Sequence, residues 1–122
     1  MRSVKLSQKQ MDLLRSGRVA RLSSLFKDKS LHLVPICYAY DGDNIYISTE
    51  LGSKKVQNIR SNRRVSLLID EYFEDWSKLK GLMIQGEASL IERGREFAHA
   101  RNLLNEKYPQ FEPSYPIKEG RN

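Results

Sequence analysis

Asp41-Gly42-Asp43-Asn44, set between two apolar runs, is the strongest turn signal in this 122-residue chain. An Asp-Gly pair suits the tight turns that join antiparallel strands. It folds residues 31–40 and 45–49 back on each other, so antiparallel pairing must lie at the centre of the fold. Leu31 to Tyr40 reads as one strand and Ile45 to Thr49 as the next. Pro35 predicts an edge, a bulge or an interruption in the first, because proline offers no N–H to a ladder. Residues 18–26 alternate, with Ala20, Leu22 and Phe26 against Arg18, Arg21 and Ser23, and read as the preceding strand. Val65, Leu67 and Ile69 alternate on a fourth strand. Leu82 to Ile91 forms a long fifth, where Gly86 suggests a bend or a close approach.

Helices are expected before, between and after these strands. Ser7 and Gln10 stand at capping-box spacing, Leu6 and Met11 at hydrophobic-staple spacing, and Gly17 supplies the stop. Residues 53–62 read as a short helix with Val56 and Ile59 inward and Asn62 near its end. A last helix over about residues 94–107 carries Phe97, Ala100 and Leu104 at helical spacing. Pro109, Pro113 and Pro116 leave residues 109–122 as an irregular tail. The expected fold is mainly β with helices (α+β), a small antiparallel barrel forming one domain over residues 1–122.

One cysteine, Cys37, excludes an internal disulfide and argues against a zinc cluster. Met1 to Lys5 leads into polar sequence without a signal peptide, and no apolar run reaches the roughly 18 residues of a membrane span. A reducing cytoplasm is the expected location. The net charge of +6 admits nucleic acid, an acidic membrane surface or a phosphorylated small molecule as partner.

The short central helix is where the charge is placed most suggestively. Gly52-Ser53-Lys54-Lys55 puts two lysines into a first turn where the helix dipole favours acidic residues. A bound anion would reverse that cost, with Ser53, the free N–H groups and two ammonium groups converging on one phosphate. A serine cap with two solvated lysines explains the same residues equally well. Arg60, Arg63 and Arg64 suit the helix C-terminus and read as structural. No aromatic is interleaved with them, so nucleic acid is not the expected partner. Tyr38, Tyr40 and Tyr46 read as core or barrel surface rather than ring-stacking residues, and Cys37 as a packed small residue. His32 and His99 read as incidental, and Asp70, Glu71, Glu74 and Asp75 as a solvated loop. Trp76, alone in that loop, suits a pocket lid or an interface. No catalytic acid or base is visible, and no metal set.

Tyr46-Ile47-Ser48-Thr49-Glu50-Leu51-Gly52-Ser53-Lys54-Lys55, then Asn58-Ile59 and Asn62-Arg63-Arg64-Val65-Ser66-Leu67-Leu68, resembles the pyridoxamine 5′-phosphate oxidase superfamily. The Gly86-Glu87-Ala88 strand and Asp75-Trp76-Ser77 are similar to a subgroup that uses a deazaflavin or has no assigned role. The resemblance implies an FMN-binding split β-barrel and a homodimer with cofactors at the interface. It implies FMN, or alternatively the deazaflavin coenzyme F-420, and a flavin- or deazaflavin-dependent oxidoreductase acting on a small molecule. Lys54 and Lys55 would hold the phosphate beside Ser53. Ser48 and Thr49 would line the site from the third strand. Val34, Pro35, Ile36 and Tyr38 would face the ring, largely through backbone groups. True pyridoxamine phosphate oxidases open that last stretch with Arg and close it with Lys, where Leu33 and Tyr38 stand here. The glutamine they use falls near Gly81, and a C-terminal Arg-x-His motif is missing, so vitamin B6 oxidation is not expected. The alternatives are a flavin or haem carrier without turnover and, after that, a nucleic-acid-binding barrel.

Overall fold

The computed structural model describes residues 5–119. Residues 1–4, most of the polar start read as lacking a signal peptide, and 120–122, the end of the tail, lie outside the described residues. Three α-helices and six strands follow in the order α1 (Gln8–Ser16), β1 (Ala20–Leu25), β2 (Leu31–Ile36), β3 (Ala39–Tyr40), β4 (Ile45–Tyr46), α2 (Lys54–Ser61), β5 (Arg64–Glu71), β6 (Lys80–Glu87) and α3 (Arg95–Lys107). Short 3₁₀ turns occupy Trp76–Lys78 and Pro109–Phe111.

The first helix forms where its local signals place it. The Ser7 hydroxyl accepts from the Gln10 amide, and the Gln10 side chain accepts from the Ser7 amide at 2.8 Å. Two of the four unpaired N–H groups at the helix start are thereby satisfied. Gly17 ends it, but not through a left-handed turn: its backbone is extended, with φ −63°. Glycine is required for space instead. A Cβ there would collide with the Tyr38 hydroxyl and lie 2.8 Å from the Ile69 methyl group.

The strands pair antiparallel in a four-stranded sheet of order β2-β1-β5-β6, and β3 and β4 form a separate two-stranded ribbon. The single strand expected over residues 31–40 is thus divided at Cys37 and Tyr38. Pro35 lies on edge strand β2, opposite Arg21, where its missing N–H costs no inner ladder bond. Among the described residues the strands of the expected antiparallel split barrel form a four-stranded sheet plus a ribbon, without barrel closure. The ribbon carries the predicted turn: the Asp41 carboxylate accepts the Asp43 and Asn44 amides at 2.8 and 2.7 Å, and Gly42 adopts φ +101°. Strand β6 starts and ends earlier than residues 82–91. Its last rung is the Ala88 amide to the Arg63 carbonyl, and the Arg63 guanidinium takes the Ala88 carbonyl. Gly86 pairs with Val65 and has open space beside it, so no close approach explains it.

Two apolar clusters result. Leu13 and Leu14 of α1 pack with Ala20, Leu22, Ile36, Tyr38, Leu67 and Ile69 on the inner face of the sheet. Leu104 and Tyr108, at the end of α3, pack with Ala39 and Tyr46 of the ribbon. Tyr38 joins them. Its hydroxyl donates to the Leu14 carbonyl at 2.7 Å and its amide donates to the Tyr108 hydroxyl at 3.4 Å. Gly17→Ala should therefore cost about 1–3 kcal/mol through overpacking, measured by urea unfolding. A change within experimental error would show that the Gly17–Tyr38 approach is not tight.

Candidate functional site

Helix α2 stands on the sheet through a buried side-chain pair. Asn58 Nδ2 donates to Ser24 Oγ at 3.1 Å, while Val56 and Ile59 are buried beside it. Anchoring by one face fixes where the first turn of the helix sits. There Ser53 caps: its Oγ accepts the Val56 amide at 3.4 Å and its amide donates to the Glu50 carbonyl at 3.1 Å. Thr49 Oγ1 lies 3.1 Å from Ser53 Oγ. The amides of Lys54 and Lys55 precede the first helical hydrogen bond and point out of the helix end. No acidic residue occupies the first turn. Lys54 is exposed and Lys55 half-buried, and neither makes an ion pair among the described residues.

The two ends of α2 differ. At its C-terminal end Arg60 meets Glu92 at 3.2 Å and Arg63 binds the Ala88 carbonyl. These cations are occupied by the protein itself. The lysines at the N-terminal end add their charge to the positive end of the dipole, with no compensation within the first turn. A dianionic phosphate matches this donor set: two amides, two ammonium groups and the Thr49 and Ser53 hydroxyls.

The structure brings Thr49, Ser53, Lys54 and Lys55 together. Ser48 and Thr49 leave the ladder, however, because β4 ends at Tyr46, so they reach the helix from a loop and not from a strand. The ring-side residues are arranged differently. Val34 and Ile36 point into the main core, Pro35 points outward, and the Tyr38 side chain is fully buried with its hydroxyl engaged. No hydrogen bond joins this stretch to the α2 N-terminus among the described residues. Two concavities, of about 280 and 210 Å³, lie elsewhere. Arg15, Ala39, Tyr40, Leu103, Glu106 and Lys107 line the first, and Ile59, Arg60, Arg63, Ala88, Ser89 and Leu90 the second. The α2 N-terminus is open surface in the single chain.

Three residues have roles that the sequence did not suggest. Cys37, expected to be packed, is exposed, because the chain leaves the sheet at that residue. His99, expected to be incidental, places Nε2 at 2.8 Å from Asp41 Oδ2, with its ring edge-on to Tyr46. The two residues are 58 positions apart, and only the packing of α3 on the ribbon makes them neighbours. Lys107 puts its ammonium 3.9 Å over the Tyr38 ring without a hydrogen-bond partner among the described residues. Burial, reinforced by the Arg18 charge, pulls it down to about 8. No set of three or more His, Cys, Asp or Glu side chains able to hold a metal occurs among the described residues. No helix among them is long and apolar enough to cross a membrane.

A family model for pyridoxamine 5′-phosphate oxidase matches residues 6–121. The chain belongs to this family. It is 31% identical over 102 residues to the uncharacterised protein RA0666 of Rhizobium meliloti, covering 80% of this chain and 66% of that one. Among solved structures, the conserved hypothetical protein Rv2991 of Mycobacterium tuberculosis has a TM-score of 0.77 at 25% identity, over 86% of this chain and 66% of that one. The FAD-binding protein mll6688 of Mesorhizobium loti has a TM-score of 0.66 at 29% identity, over 89% and 80%. The haem storage protein HutZ of Vibrio cholerae has a TM-score of 0.74 over 88% and 79%, and at 13% identity shows the fold alone. The antiparallel sheet with three helices is the family's α+β fold. The chain spans about two thirds of the length of RA0666 and of Rv2991.

The Asp41–His99 contact gives a pH signature. Burial alone would raise Asp41, but the Asn44 amide, the His99 ring and the Asp43 amide outweigh it and hold the carboxyl down at about 2, from an ordinary 3.8. A depressed carboxyl contributes stability that is fully present above the unfolded value and is lost as pH falls through the folded one. Unfolding midpoints should therefore drop between about pH 4 and pH 2, and Asp41→Asn should flatten that segment. An unchanged profile in the variant would assign the acid sensitivity to other carboxyls.

Proposed function

We propose that this chain binds a phosphate-bearing flavin-type cofactor, FMN or the deazaflavin coenzyme F-420, and serves as an oxidoreductase on a small molecule. The observation that carries this reading is the uncompensated first turn of α2, where Ser53, Lys54 and Lys55 meet Thr49. Family membership supports a flavin, and the FAD-binding neighbour at 29% identity points the same way. When bound, such a cofactor supplies hydride transfer. The chain's own residues bind and orient it. The two ammonium groups neutralise the phosphate, the helix amides fix its direction, and Ser48 and Thr49 flank the path from phosphate towards the ring.

Lys54 and Lys55 are binding residues in this reading and move no proton. Leu33 and Tyr38 replace the basic pair found in true pyridoxamine phosphate oxidases, so the substrate is not a vitamin B6 phosphate.

The test is cofactor titration of Lys54→Ala/Lys55→Ala against the parent. Each charge-assisted contact is worth about 1.5–3 kcal/mol, so FMN or F-420 affinity should fall at least about 100-fold. Unchanged affinity would end the phosphate-site reading. Because the lysines are not in the core, the variant's melting temperature without cofactor should stay within about 1–2 °C of the parent.

A further inference from the structure

The concavity of about 280 Å³ lies between the end of α1, strand β3 and the end of α3. It is apart from the start of α2. Ser24, which anchors α2, stands towards one end of β1, and Ala20 begins the other, paired with Ile36 just before the chain passes through Tyr38 into β3. The walls are of two kinds. Ala39, Leu103 and the Tyr40 ring are apolar. Arg15 from α1 and Lys107 from α3 are cationic, and Glu106 brings one carboxylate. None of these three charged side chains makes an ion pair among the described residues. Arg15 rests over the Tyr40 ring, 5.2 Å from its centroid.

Lys107 is the group that the fold leaves unanswered. Its ammonium lies 3.9 Å from the Tyr38 ring centroid and 5.4 Å from that of Tyr108. It is shut off from solvent and has no hydrogen-bond partner among the described residues. Buried polar groups are normally paired, and an unpaired charge is the costliest exception. Ring faces attract the charge but offer it no oxygen. The titratable groups around it are Arg18, Tyr38, Tyr108 and Cys37, and Arg15, Tyr40 and Glu106 share the cavity wall. Burial, then the Arg18 charge, hold Lys107 down at about 8 from an ordinary 10.5.

We infer that this concavity is a binding site for a small monoanionic organic carboxylate, held between Arg15 and Lys107 with its apolar body against Tyr40, Ala39 and Leu103. The flexible four-carbon stem of Lys107 lets the ammonium turn from the ring to one carboxylate oxygen, while the Arg15 guanidinium takes the other. With Glu106 on the wall, the lining carries one positive charge in excess, which matches a monoanion better than a phosphate dianion. The volume is at the low end for small-molecule sites, about 300–1,000 Å³, so the ligand is small. The cavity and the unpartnered ammonium carry this inference, and the cofactor reading does not enter it.

Calorimetric titration of the 122-residue chain with benzoate tests it, with benzamide as the uncharged control. Benzoate should bind in the millimolar range and at least about 10-fold more tightly than benzamide. A bound carboxylate raises Lys107 back towards its ordinary value. At pH 8 binding should therefore take up about half a proton, read from the heats in two buffers of different ionisation enthalpy. At pH 6, where Lys107 is already charged, the uptake should vanish. Lys107→Met and Arg15→Met should each weaken benzoate at least about 10-fold, and Lys107→Met should also abolish the uptake. Inorganic phosphate, at constant ionic strength, should not displace benzoate, because the start of α2 is a separate place. A parent that takes up no benzoate, or takes it up without a proton at pH 8, would overturn the inference, and both readings need no variant. Equal affinity for benzamide, displacement by phosphate, or unchanged binding in Lys107→Met would do the same.

Discussion

The hydroxyl of Tyr38, donating to the carbonyl of Leu14 at 2.7 Å, is the contact on which the rest of the arrangement hangs. It lies where α1, the end of β2 and the ribbon meet, in a position fully shut off from solvent. A buried hydroxyl left without a partner costs more than a made bond contributes, so the joint constrains everything around it. Gly17 must lack a side chain to admit that hydroxyl. The Tyr38 amide engages the Tyr108 hydroxyl, which in turn donates to the Arg18 carbonyl at 2.8 Å. The main core and the α3 core are thereby held as one body. Lys107 lies over the same ring, its pKa lowered by the burial that this packing imposes.

With the sheet held in this way, α2 needs only its own anchor. Ser24 and Asn58 provide it, a buried polar pair joined by one hydrogen bond. The helix then presents its two ends under different conditions. Its C-terminal cations are tied to Glu92 and to a backbone carbonyl, while its N-terminal cations face solvent beside unpaired amides. The positive potential of that end is not offset by any acidic residue in the first turn. This asymmetry singles out the α2 start among the basic positions of the chain.

The sheet itself is asymmetric in a second way. Its inner face is covered by α1, and its outer face leaves Leu31, Leu33 and Met83 exposed. Alternation along a strand assigns residues to two faces, but it carries no information about what covers either one. Leu31 and Leu33 look like core residues in the sequence, and Val34 and Ile36 do too. Only the packing of α1 separates the two sets.

Local interactions made part of this protein legible from its sequence. The capping box at Ser7, the Asp41-Gly42 turn and the extent of α2 with its two leading lysines all depend on residues a few positions apart, and each stands where expected. The likeness around Gly52-Ser53-Lys54-Lys55 reached the family for a related reason, since short stretches between residues 46 and 68 carry it. What only the tertiary structure decided is long-range. It determined the burial of Tyr38, the exposure of Cys37, the meeting of His99 with Asp41, the splitting of one expected strand into sheet and ribbon, and the true reason for Gly17. Each depends on elements distant in the chain being brought to one place, where volume and hydrogen-bond partners are set by neighbours that the local sequence does not contain.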